Sequence, residues 1–460
     1  MKILSLKARE ILDSRGVPTV EAVLETSNGL FKGACPSGTS SGRHEAVELR
    51  DGEARFFGKG VLKAIKNIED KIAPVVLNKD FSGQKELDKI LIELDGSENK
   101  SNLGANAILP VSIAFCRAFA CEKNQELFEF ISEIANRPPR SGAPDLGGRF
   151  PVPCFNILEG GKHAGNNLEV QEFMVVPFLD KFSENLQAGA EVYYHLKLLL
   201  IKNFGETSIN TGYESGFAPP FKNTEQALDL LMQAISKASY GGKFYPVKSA
   251  GGGAEQFNRV KIGLDIAASE LLYKEKYKVN GKLKSPNKLA DYYIKLCRNY
   301  PIVFIEDGFG EDDFESWQEF SAKCNPPAGG QSAKLLVVGD DLTVTNSKRI
   351  QVAQEKGLCN GMILKLNQIG SVSEGIEAFK LAKSFGWKII VSHRSGETND
   401  DFIADFAVGV GADFIKTGAP AGGERVAKYN RLLEIEQDLL ANQTPEVGKR
   451  PDLGGRDGLI

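Results

Sequence analysis

The chain has no CxxC pair: its seven cysteines stand singly at positions 35, 116, 121, 154, 297, 324 and 359. An odd, scattered set argues against a zinc site or a disulfide framework and predicts reduced thiols in a cytoplasmic compartment. Basic runs are absent and the net charge is -4, so nothing draws the protein electrostatically to nucleic acid or membrane. No apolar run reads as long enough to span a bilayer, and charge enters the opening MKILSLKAREILDSRG too early for a signal peptide. What is present, 42% hydrophobic and 25% charged residues over 460 positions, is the profile of a cytosolic enzyme with room for two or three domains.

The first part differs in style from the rest. Residues Thr19 to Ala34 alternate around Ser27, Asn28 and Gly29, the pattern of a β-hairpin. Helical periodicity follows in Gly60 to Leu77, Gln84 to Leu94 and Leu103 to Cys121, the last after Ser101 and Asn102, either of which suits an N-cap. A breaker-rich stretch, NRPPRSGAPDLGGR, then marks a boundary. The expected division is a small α+β cap domain at 1–136, a linker at 137–150, a barrel domain at 151–445 and a tail at 446–460. The hexapeptide PDLGGR occurs at 144–149 and again at 451–456. Six residues are too few for a structural repeat.

In the second half, six apolar runs each end on a residue able to bind a metal, move a proton or hold an anion. They are Val260 to Asp265, Ile302 to Asp307, Leu335 to Asp340, Met362 to Lys365, Lys388 to His393 and Asp413 to Lys416. Their spacing leaves room for a strand, a loop and a returning helix, which is how a parallel α/β barrel is written. The strand ends of such a barrel converge, so Asp265, Glu306, Asp340, Lys365, His393 and Lys416 are expected at one mouth. Three converging carboxylates suit Mg²⁺; each alone is equally well a helix cap or an ion-pair partner. Beside cations, Lys365 is expected to lose its proton readily and to act as a base. His393, Arg394 and Ser395 in VSHRSGE read as an anion clamp, against the alternative of a structural arginine bridging two loops. CPSGTSSG at 35–42 reads as a loop able to close on a ligand, and EGGKHAGNNLEVQE and GYESGFAP are Gly-flanked segments with acidic residues or His.

Together these segments resemble the enolase family, in the motifs SHRSGET (392–398), GDDLTVTN (339–346), LKLNQIG (364–370), IKTGAP (415–420), NLGANAIL (102–109) and QEFM (171–174). The resemblance runs from about residue 11 to residue 436 and implies an enolase-type (β/α) barrel of the TIM kind, with its first strands antiparallel, behind a small α+β cap. It implies reversible dehydration of 2-phosphoglycerate to phosphoenolpyruvate with two Mg²⁺ per active site. On that pattern Asp265, Glu306 and Asp340 hold one Mg²⁺ and Ser40 helps hold the second. Lys365 is the base and Glu214 the general acid; His163, Gln171, Glu172, His393, Arg394, Ser395 and Lys416 bind substrate. A homodimer or larger homo-oligomer without nucleic-acid or membrane partners is also implied. Some positions depart from the family pattern: Tyr213 and Ser215 flank Glu214 where Asp and Gly are usual, Thr39 and Ser41 flank Ser40, Gly308 replaces Pro, Val17 replaces Asn, and Gly422 and Gly423 replace Arg and Ser. The competing readings are a relative acting on another carboxylate and a noncatalytic binding or structural paralogue.

Overall fold

The computed structural model describes residues 1–39, 42–52, 54–137, 150–240, 259–325 and 335–441. Ser40, Ser41, both copies of PDLGGR, nearly all of the linker and the tail lie outside these residues. The N-terminal part opens with an antiparallel sheet, β1 (Ser5–Leu12), β2 (Pro18–Thr26) and β3 (Gly29–Ala34), in sequential order. Thr26 pairs with Gly29, so the hairpin turn is Ser27 and Asn28, with Gly29 at φ 124°.

Helices follow as α1 (Leu62–Asn67) and α2 (Ala73–Val76), joined by one π-turn at Ile68–Ile72, then α3 (Gln84–Asp95), α4 (Ala105–Glu122) and α5 (Leu127–Ile134). The expected helix at Gly60 to Leu77 is thus interrupted. Neither Ser101 nor Asn102 caps α4: the N-cap is Gly104 at φ 95°, and the Asn102 amide is spent on the Asp95 carbonyl at 2.7 Å. By length and composition α4 could cross a membrane, contrary to the reading of the sequence, but 83% of it is buried inside the protein. It is the central helix of the cap, packed on β2 and β3, and Gly33 lies so close beneath it that an added Cβ would stand 2.3 Å from the Pro110 carbonyl oxygen.

The second part is a closed eight-stranded barrel. In chain order its elements are β4 (Val152–Glu159), β5 (Glu172–Pro177), α6 (Phe182–Phe204), α7 (Thr224–Lys237) and β6 (Val260–Asp265). A small excursion, β7 (Leu272–Tyr273), β8 (Lys276–Val279) and β9 (Lys282–Lys284), precedes α8 (Pro286–Asn299) and β10 (Ile302–Glu306). Then come α9 (Phe314–Cys324), β11 (Leu336–Gly339), α10 (Ser347–Lys356), β12 (Gly361–Leu364), α11 (Leu366–Ile369) and α12 (Val372–Ser384). The described residues finish with β13 (Lys388–Ser392), α13 (Phe402–Val410), β14 (Phe414–Lys416) and α14 (Gly423–Ala441). Around the barrel the order is β4, β5, β6, β10, β11, β12, β13, β14, closed by β14 on β4. Only β5 runs antiparallel to its neighbours. All six expected strands are present, within a residue or two of their expected ends.

Side chains fill the barrel. Cys154, Met174, Val176, Phe304, Leu336, Val338, Ile363, Ile390 and Phe414 form its inner core, and Gly263 leaves the room that the Phe304 ring takes. The outer core runs continuously from the cap into the helical ring, so the two parts pack as one body, with α5 against α13. Arg117 on α4 pairs with Asp400 and Asp401 across this seam. All seven cysteines are unpaired.

Candidate active site

Each parallel strand delivers its last residues to one end of the barrel. Asp265 ends β6 and Glu306 ends β10, neighbours in register; Asp340 follows β11, Lys365 follows β12, His393 to Ser395 follow β13, and Lys416 ends β14. Because β5 is reversed, its first residue faces the same end, which brings in Gln171 and Glu172, with Glu172 opposite both Asp265 and Glu159. The loop before α7 adds Glu214, and the loop after β4 adds His163. The cap supplies Gly38 and Thr39. These groups face one narrow cavity lined by His163, Gln171, Glu172, Glu214, Asp265, Asp340, Lys365, His393, Arg394, Ser395 and Lys416. Glu306 is brought to the mouth but does not line the cavity, since Lys416 covers it. Ser40 lies outside the described residues.

Lys416 is the hub. Its buried ammonium donates to both Glu306 oxygens at 2.8 Å and lies 3.1 Å from Glu172 and 3.7 Å from Asp265. Burial opposes its charge, but Glu172, Glu306 and Asp265 outweigh burial and hold Lys416 protonated well above the usual lysine range. Glu306 shows the converse: burial first, then the Asp265 charge, push its carboxyl up to about 8. Lys365 pairs closely with Asp340, and Gln368 donates to the other Asp340 oxygen at 2.9 Å. Burial lowers the proton affinity of Lys365, but the Asp340 carboxylate outweighs burial and raises it. The protein alone therefore keeps Lys365 charged.

Glu214 sits among imidazoles. Its Oε1 is 3.6 Å from His163 Nδ1, and its Oε2 is 3.1 Å from His393 Nε2 and accepts from Asn156 at 3.0 Å. Burial raises the Glu214 carboxyl, yet His393, His163 and Arg425 outweigh it and hold the group well below the usual carboxylate range. The cost falls on its neighbours: burial and the Glu214 charge push Glu159 and Glu172 well up. His393 is pushed down to about 3, by burial first and also by Arg425, whose guanidinium lies 2.5 Å from Nδ1. A guanidinium can only donate, so Nδ1 accepts and Nε2 carries the proton toward Glu214.

The anion clamp is partly committed. Arg394 forks onto Glu45 of the cap at 2.8 and 3.1 Å and reaches Asn367 at 3.1 Å, so the arginine does bridge two loops as well as line the cavity. Ser395 Oγ accepts from the Thr39 amide at 2.8 Å and meets the Thr39 hydroxyl at 2.6 Å. Gln171 Oε1 and His163 Nδ1 are buried with no hydrogen-bond partner among the described residues, acceptors and donors left for a ligand.

Among the described residues two clusters have the spacing of a metal site: His163, Glu172 and Glu214, and Asp307, Asp340 and Asp341. Asp307 is less available than its place suggests, because it already accepts from the Asp340 and Asp341 amides at 2.8 and 2.9 Å. Glu45, Asn156, Glu159, Gln368 and Arg425 were not picked out from the sequence as site residues. Arg425 had no signal, standing mid-pattern on a helix; Glu159 sat in a singled-out segment, at the end of an apolar run.

Models of two domains match the chain: "Enolase, N-terminal domain" over residues 3–131 and "Enolase, C-terminal TIM barrel domain" over residues 148–450. Nearly the whole length is covered, in the same order as the cap and the barrel, and the chain belongs to the enolase family.

Proposed function

We propose that the protein catalyses the reversible dehydration of 2-phosphoglycerate to phosphoenolpyruvate, with Lys365 as base and Glu214 as acid. The observation that carries the reading is the placement of these two groups. Lys365 follows β12 and Glu214 accepts from Asn156 of β4, three strands away in the eight-stranded ring, and both line the same cavity. A substrate held there meets both groups, as removal of a proton and of a hydroxide from adjacent carbons requires.

The residues fit a divalent cation. Glu172, Asp265, Glu306 and Asp340 are buried around only two ammonium groups, and both Glu306 and Asp341 are pushed up to about 8 by burial and neighbouring carboxylates. That surplus of buried negative charge is the signature of a hard-cation site. Asp265, Glu306 and Asp340 would hold Mg²⁺, and Ser40 would help hold a second. A divalent cation held there would supply positive charge beside the substrate carboxylate. Lys416 keeps its proton throughout and steadies the same carboxylate. Arg394 and Ser395 would take the phosphate, with His163, Gln171, Glu172 and His393 completing the pocket. Domain limits of 1–136 and 151–445 and a homo-oligomeric, cytoplasmic state complete the proposal.

The test is the ultraviolet absorbance of phosphoenolpyruvate appearing from 2-phosphoglycerate and Mg²⁺. Turnover should vanish with chelator and fall at least a thousandfold in Lys365→Ala. A folded, Mg²⁺-loaded protein without turnover would overturn the reading.

A further inference from the structure

Glu159 is fully buried at the end of β4, and no cation among the described residues is bonded to it. Its carboxylate is instead wrapped by backbone: the Gly216 amide donates to Oε1 at 2.6 Å, and the Glu214 amide lies 3.1 Å from Oε1 and 3.3 Å from Oε2. The residue between, Ser215, has φ 67°, in the left-handed region that a side chain resists. Alternating amides around a left-handed residue make an anion-binding concavity, normally filled by a ligand. Here a side chain of the same protein fills it. The approach is close enough to exclude larger residues: a Cβ on Gly212 would lie 2.2 Å from Glu159 Oε2, and one on Gly216 2.9 Å from Oε1.

We infer that Glu159 is a positioning residue for Glu214: it is the internal hydrogen-bond acceptor that holds residues 212–216 in the conformation that aims the Glu214 carboxyl at the cavity. The inference rests on the proposed reaction for its kinetic consequence, but its structural core does not. Without Glu159 the two amides lose their acceptor inside a water-poor pocket and Ser215 loses the contact that offsets its backbone strain. The loop then relaxes and Glu214 is misplaced. Substrate binding, which falls to Lys416, Arg394 and Ser395 elsewhere around the mouth, is spared.

The experiment compares Glu159→Ala, Glu159→Gln and the double variant Glu159→Ala/Ser215→Gly with wild type, in Mg²⁺. Glu159→Ala should lower kcat at least a hundredfold with KM within about threefold. Glu159→Gln, which keeps an acceptor oxygen for both amides, should stay within about fivefold of wild type in kcat. Ser215→Gly removes the left-handed strain and should recover about fivefold of the Glu159→Ala loss, a gain that a general loss of folding would not show. In parallel, hydrogen exchange should rise at the Glu214 and Gly216 amides in Glu159→Ala and stay at the wild-type level in Glu159→Gln. Unchanged exchange at both amides in Glu159→Ala overturns the inference, as does a kcat loss in Glu159→Gln equal to that in Glu159→Ala. If wild type itself shows no turnover, the proposed reaction fails while the exchange data still decide the loop.

Discussion

Arg425 offers the sharpest test of how the barrel loops are held. Its guanidinium is fully buried and reaches four acceptors: His393 Nδ1 at 2.5 Å, the Arg394 and Ser395 carbonyls at 2.7 Å each, and the Tyr213 carbonyl at 2.9 Å. Arg425→Met fills similar volume but donates nothing. The Ser395 carbonyl would keep the Ser14 hydroxyl at 3.4 Å, while His393 Nδ1 and the Tyr213 carbonyl have no other hydrogen bond among the described residues. Two buried groups left unpaired, at about 1 to 1.5 kcal/mol each, amount to a loss of about 2–3 kcal/mol. Arg425→Lys, with one ammonium that cannot span both loops, should lose about half as much. Urea unfolding followed by circular dichroism measures both. Imidazole NMR adds a second readout, since removing the guanidinium should let His393 titrate above its present value of about 3. A Met variant within about 1 kcal/mol of wild type, with His393 unmoved, would refute the view that this side chain fixes the imidazole and the loop together.

Metal binding should depend on pH through Glu306. Its folded, metal-free carboxyl is raised from 4.5 to about 8, so the metal-free protein holds there a proton that the unfolded chain releases. The associated stability is therefore full below about 4.5 and is lost as pH rises through about 8. Mg²⁺ must displace that proton, so affinity measured by calorimetry should climb between pH 5 and about 8 and then level off; a flat profile would count against Glu306 as a ligand. Gly263→Val should destabilise by about 1–3 kcal/mol or more, because a Cβ there would stand 2.2 Å from the Phe304 ring; thermal melting reads this, and an unchanged midpoint would show the barrel core to be loose. Lys365→Ala should abolish turnover while leaving Mg²⁺ binding intact, which separates the base from the metal site.

The sequence reveals residues whose position follows from strand periodicity. Asp265, Glu306, Asp340, Lys365, His393 and Lys416 each close an apolar run, and a parallel strand has only one end at which to put them. Gln171 and Glu172 break that rule by preceding their run, because β5 is reversed; their segment stands out only as Gly-flanked and acidic, and their role comes from the family resemblance. Arg425 and Gln368 could not be read at all, for they reach the site from helices whose polar residues look solvent-facing in one dimension. For Lys365 and Asp340 the apolar runs place both at one mouth, whereas their direct pairing is visible only in the fold.

The barrel is sealed by one short seam, β14 on β4, where Lys416 pairs in register with Cys154. The partners of that seam are far apart along the chain, so its closure entropy is large and it is among the slowest contacts to form. The residue at the seam's end is also the ammonium that neutralises Glu306 and Glu172. A chain whose last strand has not closed on β4 therefore lacks its central charge as well, and Glu306 and Glu172 lose the ammonium that lies between them. Closure of the barrel and assembly of this charge cluster become a single event.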